Sequence, residues 1–324
     1  MEQHFFTLTP ERVLDAVERS GHATTGLCYP LNSLENRVYE VELDDRSRVV
    51  GKFYRPGRWG EETIRDEHRA LEALREAEIP VCAPLSFPDG DTLHATPEGI
   101  FFTLFPRTGG RIPDELLGDE YVQLGRLVAR IHNVLGMLRL RHRPTLSPET
   151  YGTECLQAIL ERVEMPAGIH RRYVDAVERL VSRAKERFGG TEVIVAHADC
   201  HRGNLLRGRE GWFFLDFDDM AVAPPVQDLW LLLPARARDS KAELDLLLEG
   251  YEQFRAFDRG TLGLIEALRG LRYVRYAAWV ARRWDDPAFP RAFPDWGTER
   301  YWEGQVSDLH DQIALLEEDE SWMR

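Results

Sequence analysis

The chain changes its periodicity near residue 106, and that change limits the folds open to it. Between residues 24 and 105, short segments rich in β-branched and aromatic residues alternate with polar turns, as in an antiparallel sheet. Val38-Tyr-Glu-Val-Glu-Leu43 alternates, Asp44-Asp45 can turn, and residues 47–54 run back. After a polar loop at 31–37 and a turn at Pro88-Asp-Gly90, short strands are expected at 92–95 and 100–105. Beyond a Pro/Gly hinge at 105–111, apolar residues recur at helical spacing over 119–135, 148–159, 170–188, 240–254 and 261–284. Helices are also expected after Thr9-Pro10, ending at Gly21, and from 61 to 77, stopped by Pro80. The fold class expected is α+β with two lobes. Residues 1–106 would form an N-terminal antiparallel sheet plus one helix, and residues 107–324 a larger, mainly helical lobe, with a ligand cleft at the hinge.

One stretch of the helical part breaks the pattern. Val193-Ile-Val-Ala-His-Ala-Asp-Cys-His-Arg-Gly-Asn-Leu-Leu206 is followed by Trp212-Phe-Phe-Leu-Asp-Phe-Asp-Asp-Met220. Two short apolar strands would flank a polar segment holding His197, Asp199, His201 and Asn204, with Asp216, Asp218 and Asp219 after the second. Two rigid arms can thus aim oxygen ligands at one spot. Aspartate and asparagine oxygens are hard donors suited to a magnesium ion bridging substrate phosphates. Phosphoryl transfer needs that, together with a carboxylate to orient the attacking hydroxyl. Plainer readings stand beside this one. His197 can be a loop brace, and His201 and Cys200 can be structural. A zinc site on His-x-Asp-x-His lacks a third-ligand segment of recognisable spacing.

Composition narrows the function classes. With 55 acidic against 41 basic residues, the 324-residue chain carries a formal charge of −14, which disfavours nucleic acid and anionic membranes as partners. The four cysteines form no C-x-x-C pair, so a disulfide framework or zinc ribbon is not expected. Neither a signal peptide nor a membrane span is legible, and a cytoplasmic location follows as an expectation. The acidic run 317–320 reads as a solvated helix end. All but three of the basic residues are arginine, the exceptions being Lys52, Lys185 and Lys241.

His197-x-Asp199-x-x-x-x-Asn204 with the later Leu-Asp216-Phe-Asp218 resembles the catalytic and metal loops of the kinase-like phosphotransferases, which include aminoglycoside and choline kinases and share the protein-kinase fold. That resemblance requires a lysine in the third strand and a glutamate on the next helix. Val49-Val-Gly-Lys52-Phe-Tyr54 supplies the lysine, and Glu67 lies on the apolar stripe of Ile64, Leu71 and Leu74. A buried ammonium needs such a partner. The bland alternative is that Lys52 snorkels from an edge strand. No G-x-G-x-x-G is present; Asn32-Ser33-Leu-Glu-Asn36 occupies that turn, where backbone amides, Ser33 and the asparagine side chains could cradle phosphates.

The segments Pro30-Leu-Asn-Ser-Leu-Glu-Asn-Arg-Val-Tyr39, Lys52-Phe-Tyr-Arg-Pro56, Val226-Gln-Asp-Leu-Trp230 and Arg283-Trp-Asp-Asp-Pro-Ala-Phe-Pro290 narrow the resemblance to a family of bacterial stress-response Ser/Thr protein kinases. It implies a cytoplasmic, monomeric enzyme using ATP and Mg²⁺ on a protein acceptor. It further implies Asp199 as proton acceptor, Asn204 and Asp216 as magnesium ligands, Ser33 beside ATP, and Asp228 as a brace for the catalytic loop. Asp228 can equally be an acid favoured by a helix N-terminus. Two alternatives remain: a small-molecule phosphotransferase acting on aminoglycoside-, choline- or homoserine-like alcohols, and a nucleotide-binding scaffold without turnover. No Ala-Pro-Glu tripeptide follows Asp216, and the segment to Pro225 is short. The arginines of 261–284 form either the solvated edge of a core helix or a surface selecting an acidic acceptor.

Overall fold

The computed structural model describes residues 5–6, 8–209 and 211–318. These fall into two compact units, each discontinuous in sequence. The first takes in 1–113, 137–143 and 203–219, and the second 114–136, 144–202 and 220–324.

In the first unit, helix α1 (Pro10–Arg19) precedes strands β1 (Thr24–Leu31), β2 (Arg37–Leu43) and β3 (Arg48–Phe53). Helix α2 (Glu61–Glu76) follows, then β4 (His94–Ala95) and β5 (Phe101–Pro106). The five strands form one antiparallel sheet in the order β1-β2-β3-β5-β4, which makes β3 a central strand. Side chains alternate across a strand, so Val49 and Phe53 enter the core with Val41, Phe102 and Leu104, while Lys52 takes the other face. Phe53 and Phe102, opposite each other in register, stack at 5.1 Å. With Lys52 in the middle of the sheet, snorkelling from an edge strand does not apply.

Residues 192–220 differ from the two-strand expectation. Strand β6 (Ile194–Ala196), in the second unit, pairs with β9 (Ala221–Ala223). Strands β7 (Leu205–Gly208) and β8 (Gly211–Phe214) form a separate hairpin in the first unit. Hydrogen-bonding pairs the apolar run ending at Ala196 with the run after Met220, because 205–208 is itself a strand and claims 211–214.

The rest of the second unit is helical: α3 (Asp119–Leu135), α4 (Glu154–Leu160), α5 (Ala167–Phe188), α6 (Val226–Trp230), α7 (Lys241–Glu252), α8 (Ile265–Ala281), α9 (Ala288–Ala292) and α10 (Glu299–Glu317). The expected helix over 148–159 opens with a π turn, Glu149–Thr153, before α4. Helices α3 and α7 approach so closely that a Cβ on Gly125 would stand 2.0 Å from Leu247 O, and one on Gly250 2.0 Å from Val122 O; only glycine permits that crossing. The sequence announced helix α10 only by its acidic end and gave it no start, although its buried Trp302, Val306, Leu309, Ile313 and Leu316 repeat at helical spacing. The acidic run is described only as far as Glu318, just past the end of α10 at Glu317; the remaining two residues of 317–320 lie outside the described residues.

Candidate active site

In the first unit, the central position of β3 and the inward stripe of α2 bring Lys52 and Glu67 together. Lys52 Nζ lies 3.0 Å from Glu67 Oε1, 3.4 Å from Asp216 Oδ1 and 3.4 Å from Asp218 Oδ1. Burial by itself would lower the Lys52 pKa, but the charges of Asp218 and Glu67 outweigh it and hold the ammonium well above its usual range. Burial pushes Glu67 up to about 7 against the pull of Lys52. Beside this pair, His68 lies 3.1 Å from the Tyr54 hydroxyl and 2.8 Å from Thr92 Oγ1. Burial and the nearby Lys52 charge drive its pKa down to about 3.

Asp218 is as deeply buried as Glu67. Arg58 donates to its Oδ2 at 2.5 Å and to Asp219 at 2.8 Å, and Asn36 donates to the same Oδ2 at 3.1 Å. Arg143 donates to the Asp218 carbonyl at 2.5 Å. Burial raises the Asp218 pKa, but Arg58 and Lys52 overcome it and leave the carboxyl below the usual aspartate value. Asn36 also accepts from the Arg55 backbone amide at 3.2 Å, so its amide group ties the 32–36 turn to Asp218 rather than standing open for a phosphate. Asp216 adopts a left-handed backbone, φ 59°, a strained conformation for a residue other than glycine. It turns a half-exposed carboxylate outward while its neighbour Asp218 stays buried.

Ser33, Lys52, Glu67, Asn204 and Asp216 line one cavity of about 460 Å³, with Val38, Phe105 and Leu206 among its apolar walls. Asn204 and Asp216 are drawn together by the β7–β8 hairpin, since Leu215 N donates to Asn204 O at 2.8 Å. No group of three or more His, Cys, Asp or Glu able to hold a metal occurs among the described residues. One amide and one carboxylate on the lining of this cavity supply oxygens that suit a hard cation keeping water and substrate phosphate as its other ligands. The residues present therefore fit magnesium.

The second unit holds the other motif. Strand β6 delivers His197 and Ala198, and the buried Asp228 of α6 accepts from both backbone amides, at 2.9 and 2.7 Å. His132 of α3 stands between Asp228 and the Tyr251 hydroxyl, 2.9 Å from each. Gln227 donates to the Ala198 carbonyl at 2.9 Å. This scaffold imposes a left-handed backbone on Ala198, φ 64°, and presents Asp199. Asp228 is thus a brace for the loop. Fully buried His197, whose Nδ1 accepts from Asp199 N at 3.3 Å, is a brace as well. Burial and the nearby carboxylates hold the Cys200 thiol well above its usual range, which makes it a poor nucleophile. Arg272 Nη2 lies 2.7 Å from Asp199 Oδ1 and His201 Nε2 3.4 Å from Oδ2.

Sequence reasoning missed Arg58 and Arg143, and it named Arg272 only as one of several arginines of the 261–284 helix, without its pairing to Asp199. A countercharge for three clustered aspartates was required, but in a chain so rich in arginine no single arginine stands out.

An antiparallel sheet with a paired lysine on its central strand, a following helix that supplies the glutamate, and an Asp/Asn loop define a kinase-like phosphotransferase. The model of the phosphotransferase enzyme family matches residues 29–265. Stress response kinase A of Escherichia coli (strain K12) is 38% identical over 97% of this chain and 95% of its own length. Serine/threonine protein kinase RdoA of Salmonella typhimurium (strain LT2) is 39% identical over the same shares. Among solved structures, an amicoumacin kinase in complex with AMP-PNP, Ca²⁺ and Ami superposes with a TM-score of 0.73 at 17% identity, covering 96% of this chain and 99% of that one. The chain belongs to the phosphotransferase enzyme family, and it is an ATP-dependent phosphotransferase. No described helix is long and apolar enough to cross a membrane.

Proposed function

We propose that the chain is a magnesium-dependent Ser/Thr protein kinase of a bacterial stress response, working as a cytoplasmic monomer. The observation that carries this reading is the 38–39% identity, along nearly the whole chain, to relatives named for that activity. In this reading residues 1–106 form the ATP-binding lobe and residues 107–324 the catalytic and substrate lobe. Lys52, fixed by Glu67, binds ATP phosphate oxygens, and Ser33 sits beside them. Asn204 and Asp216 hold magnesium, which would neutralise charge on the phosphates. Asp199 orients the acceptor hydroxyl and takes its proton. The hydroxyl oxygen bonds to the γ-phosphorus as the bond to the β–γ bridging oxygen breaks, and ADP leaves.

A second reading, transfer to a small alcohol, is favoured by one feature. From Asp216 the chain passes through a single 3₁₀ turn, Phe217–Asp219, into β9 and then α6, which leaves little chain for docking a peptide. Transfer from γ-labelled ATP, with and without Mg²⁺, to a protein panel and to choline, an aminoglycoside and homoserine separates the two. Labelled protein Ser or Thr supports the kinase reading, and label only on a small alcohol overturns it.

A further inference from the structure

The arginines of α8 and its end are placed unequally. Arg269 lies 3.5 Å from Glu266, with its guanidinium 4.7 Å over the Trp230 ring. Arg275 covers Tyr151 at 4.2 Å and Arg283 covers Trp279 at 5.6 Å. These are packing roles. Arg272 instead reaches the Asp199 carboxylate at 2.7 Å and remains 36% exposed. One helical turn on, Tyr276 is 48% exposed and rests against Trp279 and Phe293. A hydroxyl approaching Asp199 therefore meets a guanidinium, with an open aromatic ring one helical turn along α8 from it.

The charge of the acceptor decides how it fares there. An ammonium group beside the hydroxyl, as on choline or an aminoglycoside, is driven against Arg272. A carboxylate beside the hydroxyl pairs with Arg272 and draws it from Asp199, freeing that oxygen for the hydroxyl proton. The net charge of −14 repels acidic acceptors at long range, but salt screens that field beyond about 8 Å. The nearest cation then governs the choice.

We propose that the surface around Asp199 selects a hydroxyl flanked by a carboxylate: on a protein, a Ser or Thr next to Asp or Glu. Arg272 is the specificity arm and Tyr276 the apolar floor. This rests on the reading of Asp199 as proton acceptor.

The test uses the full chain with Mg·ATP and three peptides that share one Ser/Thr core, flanked by Asp, Ala or Arg, beside choline and glycerate. The wild type is expected to show a KM about 2- to 5-fold lower for the Asp-flanked peptide than for the Ala-flanked one, the range of a partly exposed ion pair. Arg272→Gln should remove that preference, and Arg272→Glu should reverse it toward the Arg-flanked peptide. Arg272→Gln carries the test if the glutamate variant does not fold. Equal KM values in the wild type, or a preference that survives Arg272→Gln, overturn the proposal. Transfer to glycerate but to no peptide, with the same loss in Arg272→Gln, overturns the protein-acceptor reading and upholds the charge selection. Transfer to choline alone, or to none of these, overturns both.

Discussion

Around Lys52, four ionisable side chains are buried together, whereas Asp199 keeps its carboxylate near solvent above a frame of hydrogen bonds from backbone amides. In the first region Lys52, Glu67, Asp218 and Arg58 satisfy one another with almost no solvent exposure. Such a cluster is intolerant, because removing one charge strands another. In the second, Asp228 gathers the amides of His197 and Ala198 and the His132 ring. The side chain it presents is left to pair with a partly exposed arginine. Rigidity in one region comes from charge and in the other from backbone. The charged cluster suits a group that must hold phosphates in a fixed place. The backbone frame suits a group that must change partners during each turnover.

The contrast can be broken most forcefully at Asp228. Asp228→Ala leaves two buried amides and a buried imidazole without their acceptor. Loss of a buried, hydrogen-bonded charge predicts about 3–5 kcal/mol of destabilisation. Denaturant unfolding measures it, and a loss under about 1 kcal/mol would mean that the frame is not held by this carboxylate. Lys52→Arg comes next. The cation persists, so the chain should fold, but the larger planar fork cannot reproduce the position of the compact ammonium. A displacement near 1 Å predicts roughly a 10²-fold fall in kcat. Full activity in this variant would remove the charged cluster from the account of phosphate binding.

The last prediction concerns pH, and near neutrality its effect is the smallest of the three. His68 is held to about 3 in the folded chain and titrates near 6.5 when unfolded. The unfolded state therefore binds a proton that the folded state refuses. The corresponding stability is complete above about pH 6.5 and is lost as pH falls toward 3, by up to about 1.4 kcal/mol per pH unit. His68→Gln should flatten the acid limb of a stability–pH curve by up to that slope. An unchanged limb would show that the burial of His68 is not what opposes its protonation.

The same contrast explains what the sequence made legible. Lys52 stood out because lysine is scarce in this chain and the strand around it is apolar; Glu67 followed from the helical stripe of Ile64, Leu71 and Leu74. Both signals are local. Arg58 meets Asp218 across 160 residues and Arg272 meets Asp199 from a helix full of arginines, so neither has a local signature. The two-strand expectation for 192–220 failed for a related reason. Apolar runs announce strands but not partners, and the β7–β8 hairpin is closed through residues that read as a polar loop. Asp228 was visible as an acid at the start of a helix, while its role depended on amides 30 and 31 residues away.

The central claim is that Asp199, held by the frame on Asp228, takes the acceptor's proton. Single-turnover phosphoryl transfer by wild type and Asp199→Asn, with nucleotide binding and melting temperature followed on the same samples, tests it most directly. The account predicts a rate lower by about 10²- to 10⁴-fold, with binding and melting unchanged. A variant that transfers phosphate within twofold of the wild-type rate would contradict it.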